Sequence, residues 1–121
     1  MGTKYIDGIG GFFFRAANPQ ELKKWYIETL GVDIREMVWQ QKAGPTVFTT
    51  FAQDADYFPE DKKWMINFRV TDLKKFIVEL KAKGVRVEER DEWNTMPEVG
   101  IFARVYDPEG NPVELWEPAF T

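Results

Sequence analysis

The chain contains no histidine and no cysteine. Without histidine, the commonest general base near neutral pH and the commonest metal ligand are both missing. Without cysteine, disulfides, thiolate nucleophiles and thiolate-held metals are excluded. Any catalysis would have to use carboxylates, lysine, tyrosine, a bound cofactor or an oddly ligated metal. Long apolar runs are also absent. No uninterrupted stretch approaches the roughly 18 residues of a membrane-spanning helix, so no membrane partner is expected. The opening Met1-Gly2-Thr3-Lys4-Tyr5-Ile6-Asp7 lacks the basic-then-apolar pattern of a signal peptide, and a cytoplasmic location is expected. The net charge is −4, and Lys and Arg are scattered among Asp and Glu. That distribution does not make the clustered basic surface that nucleic acid demands.

What remains is an ordinary globular composition. The 121 residues, 44% hydrophobic and 30% charged, suit one domain over residues 1–121. Ten Phe and five Trp are many for this length. Side chains that large support a sizeable core or an aromatic-lined cavity.

The chain repeats itself. Phe14-Arg15-Ala16-Ala17-Asn18 is answered by Phe68-Arg69-Val70-Thr71-Asp72, and Leu22-Lys23-Lys24-Trp25 by Leu73-Lys74-Lys75-Phe76. Leu30-Gly31-Val32 is answered by Lys83-Gly84-Val85. Shared order at similar spacing reads as duplication. Each copy predicts a strand, a helix and three strands. In the first, a strand over Gly10–Ala16 precedes a helix capped by Asn18, with Pro19 at its first position and Glu21 placed for a capping box. Leu22, Trp25, Tyr26 and Leu30 share one helical stripe, and Gly31 ends the helix. Strands then follow at Val32–Glu36, Met37–Gln41 and Thr46–Phe51. In the second, a strand over Met65–Val70 leads to a helix capped by Asp72 and ended by Gly84. Strands at Val85–Arg90, Gly100–Tyr106 and Val113–Glu117 follow. Asp107-Pro108-Glu109-Gly110-Asn111 closes the last pair as a hairpin. The fold expected is α+β, as two tandem β-α-β-β-β modules over residues 8–52 and 64–118, with a polar connector over 53–63.

Strand periodicity sorts the side chains by face. Ile66, Phe68 and Val70, with Ile101, Ala103, Val105, Val113 and Leu115, are placed under the helices. The other face receives Met65, Asn67 and Arg69, then Phe102, Arg104 and Tyr106, then Glu114 and Trp116. The first copy contributes Gly11, Phe13, Arg15, Phe48 and Thr50. Aromatic groups mixed with a few polar ones are the composition of a ligand cavity. The same face could instead pack on a second subunit, and a cavity shared at a dimer interface satisfies both readings.

Three segments carry a family resemblance. Gly10-Gly11-Phe12-Phe13-Phe14-Arg15 opens the chain, Trp25-Tyr26 precedes Leu30-Gly31, and Asp107-Pro108-Glu109-Gly110-Asn111-Pro112-Val113-Glu114-Leu115-Trp116-Glu117-Pro118 closes it. With the tandem β-α-β-β-β pattern, the chain resembles the vicinal oxygen chelate superfamily of glyoxalase I, bleomycin-resistance proteins and extradiol dioxygenases. The resemblance implies two curled sheets around a cup, helices on the outer face, and a homodimer. It also implies four strand positions for metal ligands, which fall here on Gly11, Phe48, Met65 and Glu114. Only Glu114 suits a hard divalent ion. No cofactor is expected, and the metal-dependent glyoxalase I and dioxygenase activities are disfavoured.

Three functions follow as expectations. The first is a metal-independent binding protein for an anionic or aromatic small molecule. Its ligand-binding residues are Phe13, Arg15, Phe48, Thr50, Met65, Asn67, Arg69, Phe102, Arg104, Tyr106 and Trp116, with arginine suited to carboxylate or phosphate. The second is a lyase or isomerase with Glu114 as catalytic base, and Tyr106, Tyr57 or an arginine stabilising an enolate. The bland counterpart is a Glu114–arginine ion pair. The third is a protein-interaction role through Trp64, Trp93 and the segment 90–98; the tryptophans otherwise read as core or rim packing, and the segment as a surface loop or a cover over the cup.

Overall fold

The computed structural model describes residues 5–120. It is an α+β fold with two helices and a three-stranded mixed sheet. The elements are α1 (Pro19–Glu28), β1 (Ile66–Arg69), α2 (Leu73–Ala82), a short 3-10 turn (Asp91–Asn94), β2 (Gly100–Tyr106) and β3 (Pro112–Pro118). The sheet order is β1-β3-β2. β3 is therefore central, parallel to β1 and antiparallel to β2.

The helices form where their caps and stripes direct. Asn18 Oδ1 accepts from the Glu21 amide at 3.2 Å, and Pro19 begins the helix. The expected reciprocal half of a capping box does not form. The Asn18 amide instead donates to Glu109 Oε2 at 2.9 Å, and the Ala17 amide to Glu109 Oε1 at 2.7 Å. The closing hairpin thus satisfies donors that a helix start leaves free. At α2, Asp72 accepts from the Lys75 amide at 3.4 Å, and Glu117 of β3 accepts from the Leu73 amide at 2.7 Å.

One face of the sheet packs under the helices as the periodicity requires. Ala103, Val105, Val113 and Leu115 join Leu22, Tyr26, Leu73, Ile77 and Leu80 in one buried cluster. Each aliphatic side chain fully buried there contributes about 1.5–3 kcal/mol. A polar tie runs through this core. The Tyr26 hydroxyl donates to Asp107 Oδ2 at 2.7 Å, while Asp107 Oδ1 accepts from the Glu109 and Asn111 amides. The hairpin is therefore locked to the body of α1, as well as to its start.

The two halves of the chain differ. The last two expected strands form nearly as read, and Met65–Val70 forms as Ile66–Arg69. Val85–Arg90 shrinks to a single bridge, Glu88 with Arg104. In the first half, no strand forms over Gly10–Ala16, Val32–Glu36, Met37–Gln41 or Thr46–Phe51. Arg35 and Val38 make one reciprocal bridge around Glu36 and Met37, whose φ angles are 48° and 70°. Both central residues of this turn are left-handed, as a two-residue hairpin requires. The reason the first-half strands do not form is pairing. A strand exists through its neighbour, and these segments find none among the described residues. Phe13 and Phe48 stand 92% and 86% exposed on them.

Candidate functional site

The face of β1, β2 and β3 away from the helices gathers a compact polar cluster among aromatic rings. Glu114 stands at the centre, opposite Arg104 on β2 and Asn67 on β1 in the strand register. The residue is 8% exposed, and each carboxylate oxygen accepts a hydrogen bond. Oε1 accepts from Asn67 Nδ2 at 2.8 Å, and Oε2 accepts from the Tyr57 hydroxyl. Tyr57 comes from the connector between the halves. Its phenol is pushed well above the ordinary value of 10.0, by burial first and then by the hydrogen bond and negative charge of Glu114. It therefore stays protonated and donates.

Arg104 is 3% exposed, on the same face. It makes no ion pair with Glu114; the ion pairs among the described residues lie elsewhere. One terminal nitrogen donates to the Tyr57 carbonyl at 2.8 Å. The guanidinium lies over the Tyr57 ring at 4.9 Å and the Trp93 ring at 4.6 Å. Its Nε is buried without a hydrogen-bond partner. Cation–π contact offsets part of the cost of burying the charge.

Beside this cluster, Phe102 and Trp116 stand opposite each other on β2 and β3, their rings parallel within 5° and 6.1 Å apart. The Trp116 indole N–H donates to the Val99 carbonyl at 3.0 Å. The segment 90–98 is pinned to β2 rather than loose: Asn94 Oδ1 accepts from the Phe102 amide at 2.8 Å. Trp93, read from sequence as core or rim packing in preference to a partner surface, is held by this docking against Arg104. No local pattern could have signalled it, because its position depends on a tertiary bond.

The other expected site residues lie apart. Tyr106 points to Glu88, donating at 3.1 Å. Burial raises the Glu88 carboxyl, but hydrogen bonds from Arg90 and Tyr106 outweigh it and hold the group below its usual range. Arg69 is committed to structure: it donates to the Lys42 carbonyl at 2.8 Å and the Pro45 carbonyl at 3.2 Å. Gly44 makes room for it, since a Cβ there would stand 2.2 Å from an Arg69 terminal nitrogen. Phe13, Arg15, Phe48 and Thr50 are exposed, and Met65 is half-buried. Of the three arginines expected in the cup, Arg104 alone meets Glu114's neighbours.

Two hollows lie outside this cluster. One, of about 480 Å³, is lined by Trp39, Phe68, Asp72, Lys75 and neighbours. The other, of about 550 Å³, lies between Trp25 and Arg86. The first borders the unpaired first-half segments, and neither contains a buried polar atom lacking a partner. The cluster around Glu114 does, and it is the better candidate.

The residues do not fit a divalent metal. At the four strand positions, Gly11 brings no donor, Phe48 is inert and Met65 offers only a thioether. Both Glu114 oxygens already accept from neutral donors. No group of three or more Asp or Glu side chains gathers among the described residues.

The arrangement is comparable with known proteins. One solved structure is TnmS3, an antibiotic binding protein from Streptomyces sp. CB03234. It is 22% identical, covers 96% of this chain and 99% of its own, and has a TM-score of 0.63. A glyoxalase/bleomycin resistance protein from the same organism is 20% identical, covers 84% and 92%, and has a TM-score of 0.51. At these identities the likeness is one of fold. No curated protein matches. The glyoxalase-like domain profile matches residues 11–116, nearly the whole chain, and the chain belongs to that family.

Proposed function

We propose that the protein is a metal-independent small-molecule-binding protein that takes an anionic or aromatic ligand into the cup beside Glu114. The observation that carries this is Arg104, buried among aromatic rings with Nε unpartnered. A buried charged donor left unpaired is costly, and a ligand oxygen relieves that cost. The antibiotic binding described for TnmS3, a protein of like fold, agrees with a ligand-binding role.

The working unit in this reading is a homodimer. β1 lies at an edge of the sheet, and the first half presents strand-like segments with exposed Phe12, Phe13, Val47 and Phe48. A second copy offers both the missing pairing and cover for these side chains. It would also enclose the open side of the cup.

A lyase or isomerase reading rests on a different observation, the Tyr57 hydroxyl donating to Glu114. Such a pair could pass a proton to and from a substrate. The two readings separate in one experiment. The protein is titrated with a panel of aromatic carboxylic acids, following tryptophan fluorescence, and each binder is assayed for conversion with wild type and E114Q. Saturable binding without conversion supports the binding role. Conversion lost in E114Q supports the enzyme, and absence of any binder contradicts both.

A further inference from the structure

We propose that the anionic group of the ligand is a carboxylate rather than a phosphate, and that it binds Arg104 at Nε by displacing the Trp93 indole. This rests on the cup being the ligand site, as proposed above.

The partners of Arg104 differ in how firmly they are held. Tyr57 is tied twice, through its hydroxyl to Glu114 and through its carbonyl to Arg104. Trp93 is held by ring contacts alone: its indole meets the guanidinium and the edge of the Tyr57 ring at 6.0 Å, and a second cation, Arg90, lies 5.3 Å from its ring. It stands half-buried on a four-residue 3-10 turn outside the sheet. The turn is fastened to β2 through Asn94, so the indole can swing without the turn leaving. Trp93 is therefore the group that yields. The exchange gives up a cation–π contact for a charge-assisted hydrogen bond at Nε, a buried donor that is costly to leave unpaired.

Charge selects the ligand class. Arg104 has Glu114 beside it in the β2–β3 register and Glu88 across its single bridge on the other side. Arg90 pairs with Glu88, so Arg104 is left to offset Glu114, and the neutral cluster accepts one further negative charge at less cost than two. A phosphate dianion is disfavoured on that count. A carboxylate is planar and carries a single charge, and it matches the planar guanidinium edge.

The test uses the full chain and three matched probes, naphthoate, naphthamide and naphthyl phosphate, titrated by calorimetry. Naphthoate is expected to bind about tenfold or more tightly than either of the others, the scale of one charge-assisted hydrogen bond. In R104Q the three should bind alike. In W93A the ratio of naphthoate to naphthamide affinity should rise, because the competing indole is gone. Equal binding of acid and amide by wild type overturns the inference while leaving the binding role standing. So does preference for the phosphate, or an acid preference that survives R104Q. If none of the three binds, the binding role in this cup fails and the inference with it. Should R104Q not fold, W93A decides: an unchanged or falling ratio overturns the inference.

Discussion

Arg104 and Glu114 face each other across the β2–β3 register, yet each is bonded to Tyr57 rather than to the other. Side chains directly opposite in an antiparallel pair lie close enough to meet. An ion pair there would have closed the site. Instead the carboxylate takes neutral donors and the guanidinium takes a carbonyl and two aromatic faces, so part of Arg104 stays available.

Tyr57 should therefore be the structural key to the cluster. Y57F keeps the ring against Arg104 and removes the donor to Glu114. A buried acceptor losing its partner costs about 1–3 kcal/mol. Urea denaturation should show a loss on that scale, with an unchanged slope. A variant as stable as wild type would contradict the arrangement.

The buried Tyr26 phenol and the half-buried Tyr57 phenol make stability fall in alkali. Burial, then the hydrogen bond and charge of Asp107, raise Tyr26 far above its ordinary value of 10.0; burial and Glu114 do the same to Tyr57. A raised folded value means the stabilisation is complete below pH about 10 and is lost as pH rises above it, because the unfolded chain ionises first. Denaturation midpoints should hold to pH about 10 and then drop. Y26F should drop less steeply, and an equal slope would count against this origin.

Glu109 joins the closing hairpin to the start of α1. E109A leaves the Ala17 and Asn18 amides without their acceptor. A cost of about 0.5–2 kcal/mol is expected, typical of a lost helix cap. Hydrogen exchange should quicken at those two amides first. Unchanged exchange there would show that water replaces Glu109 without loss.

The proposed homodimer would cover the exposed first-half segments. Sedimentation should report a dimer, and F48D should shift it toward monomer by placing a charge on an apolar contact. A monomeric wild type would remove the shared cup.

The second half was legible in the sequence because its strands are partnered within it. Alternation along Gly100–Tyr106 and Val113–Glu117, with the Asp107–Asn111 turn between, specifies both register and face. That placed Asn67, Arg104, Glu114 and Trp116 correctly on one face. The first half shows similar alternation, but pattern alone does not supply a neighbour, and its segments run unpaired. Arg69 shares a face with Asn67, yet its side chain turns aside to the 42–45 carbonyls, a choice made by Gly44 and not by periodicity. Trp93 was hidden for a similar reason. Its place over Arg104 follows from Asn94 gripping β2, a contact eight residues away in sequence.

In the proposed role, ligand binds at the cup and not in the hollow lined by Trp39, Asp72 and Lys75. Backbone amide NMR of the labelled protein, titrated with naphthoate, tests it most directly. Shifts are expected to concentrate at Tyr57, Asn67, Trp93, Phe102, Arg104 and Glu114. Shifts concentrated instead at Trp39, Thr71, Asp72 and Lys75, which line the hollow of about 480 Å³, would contradict it.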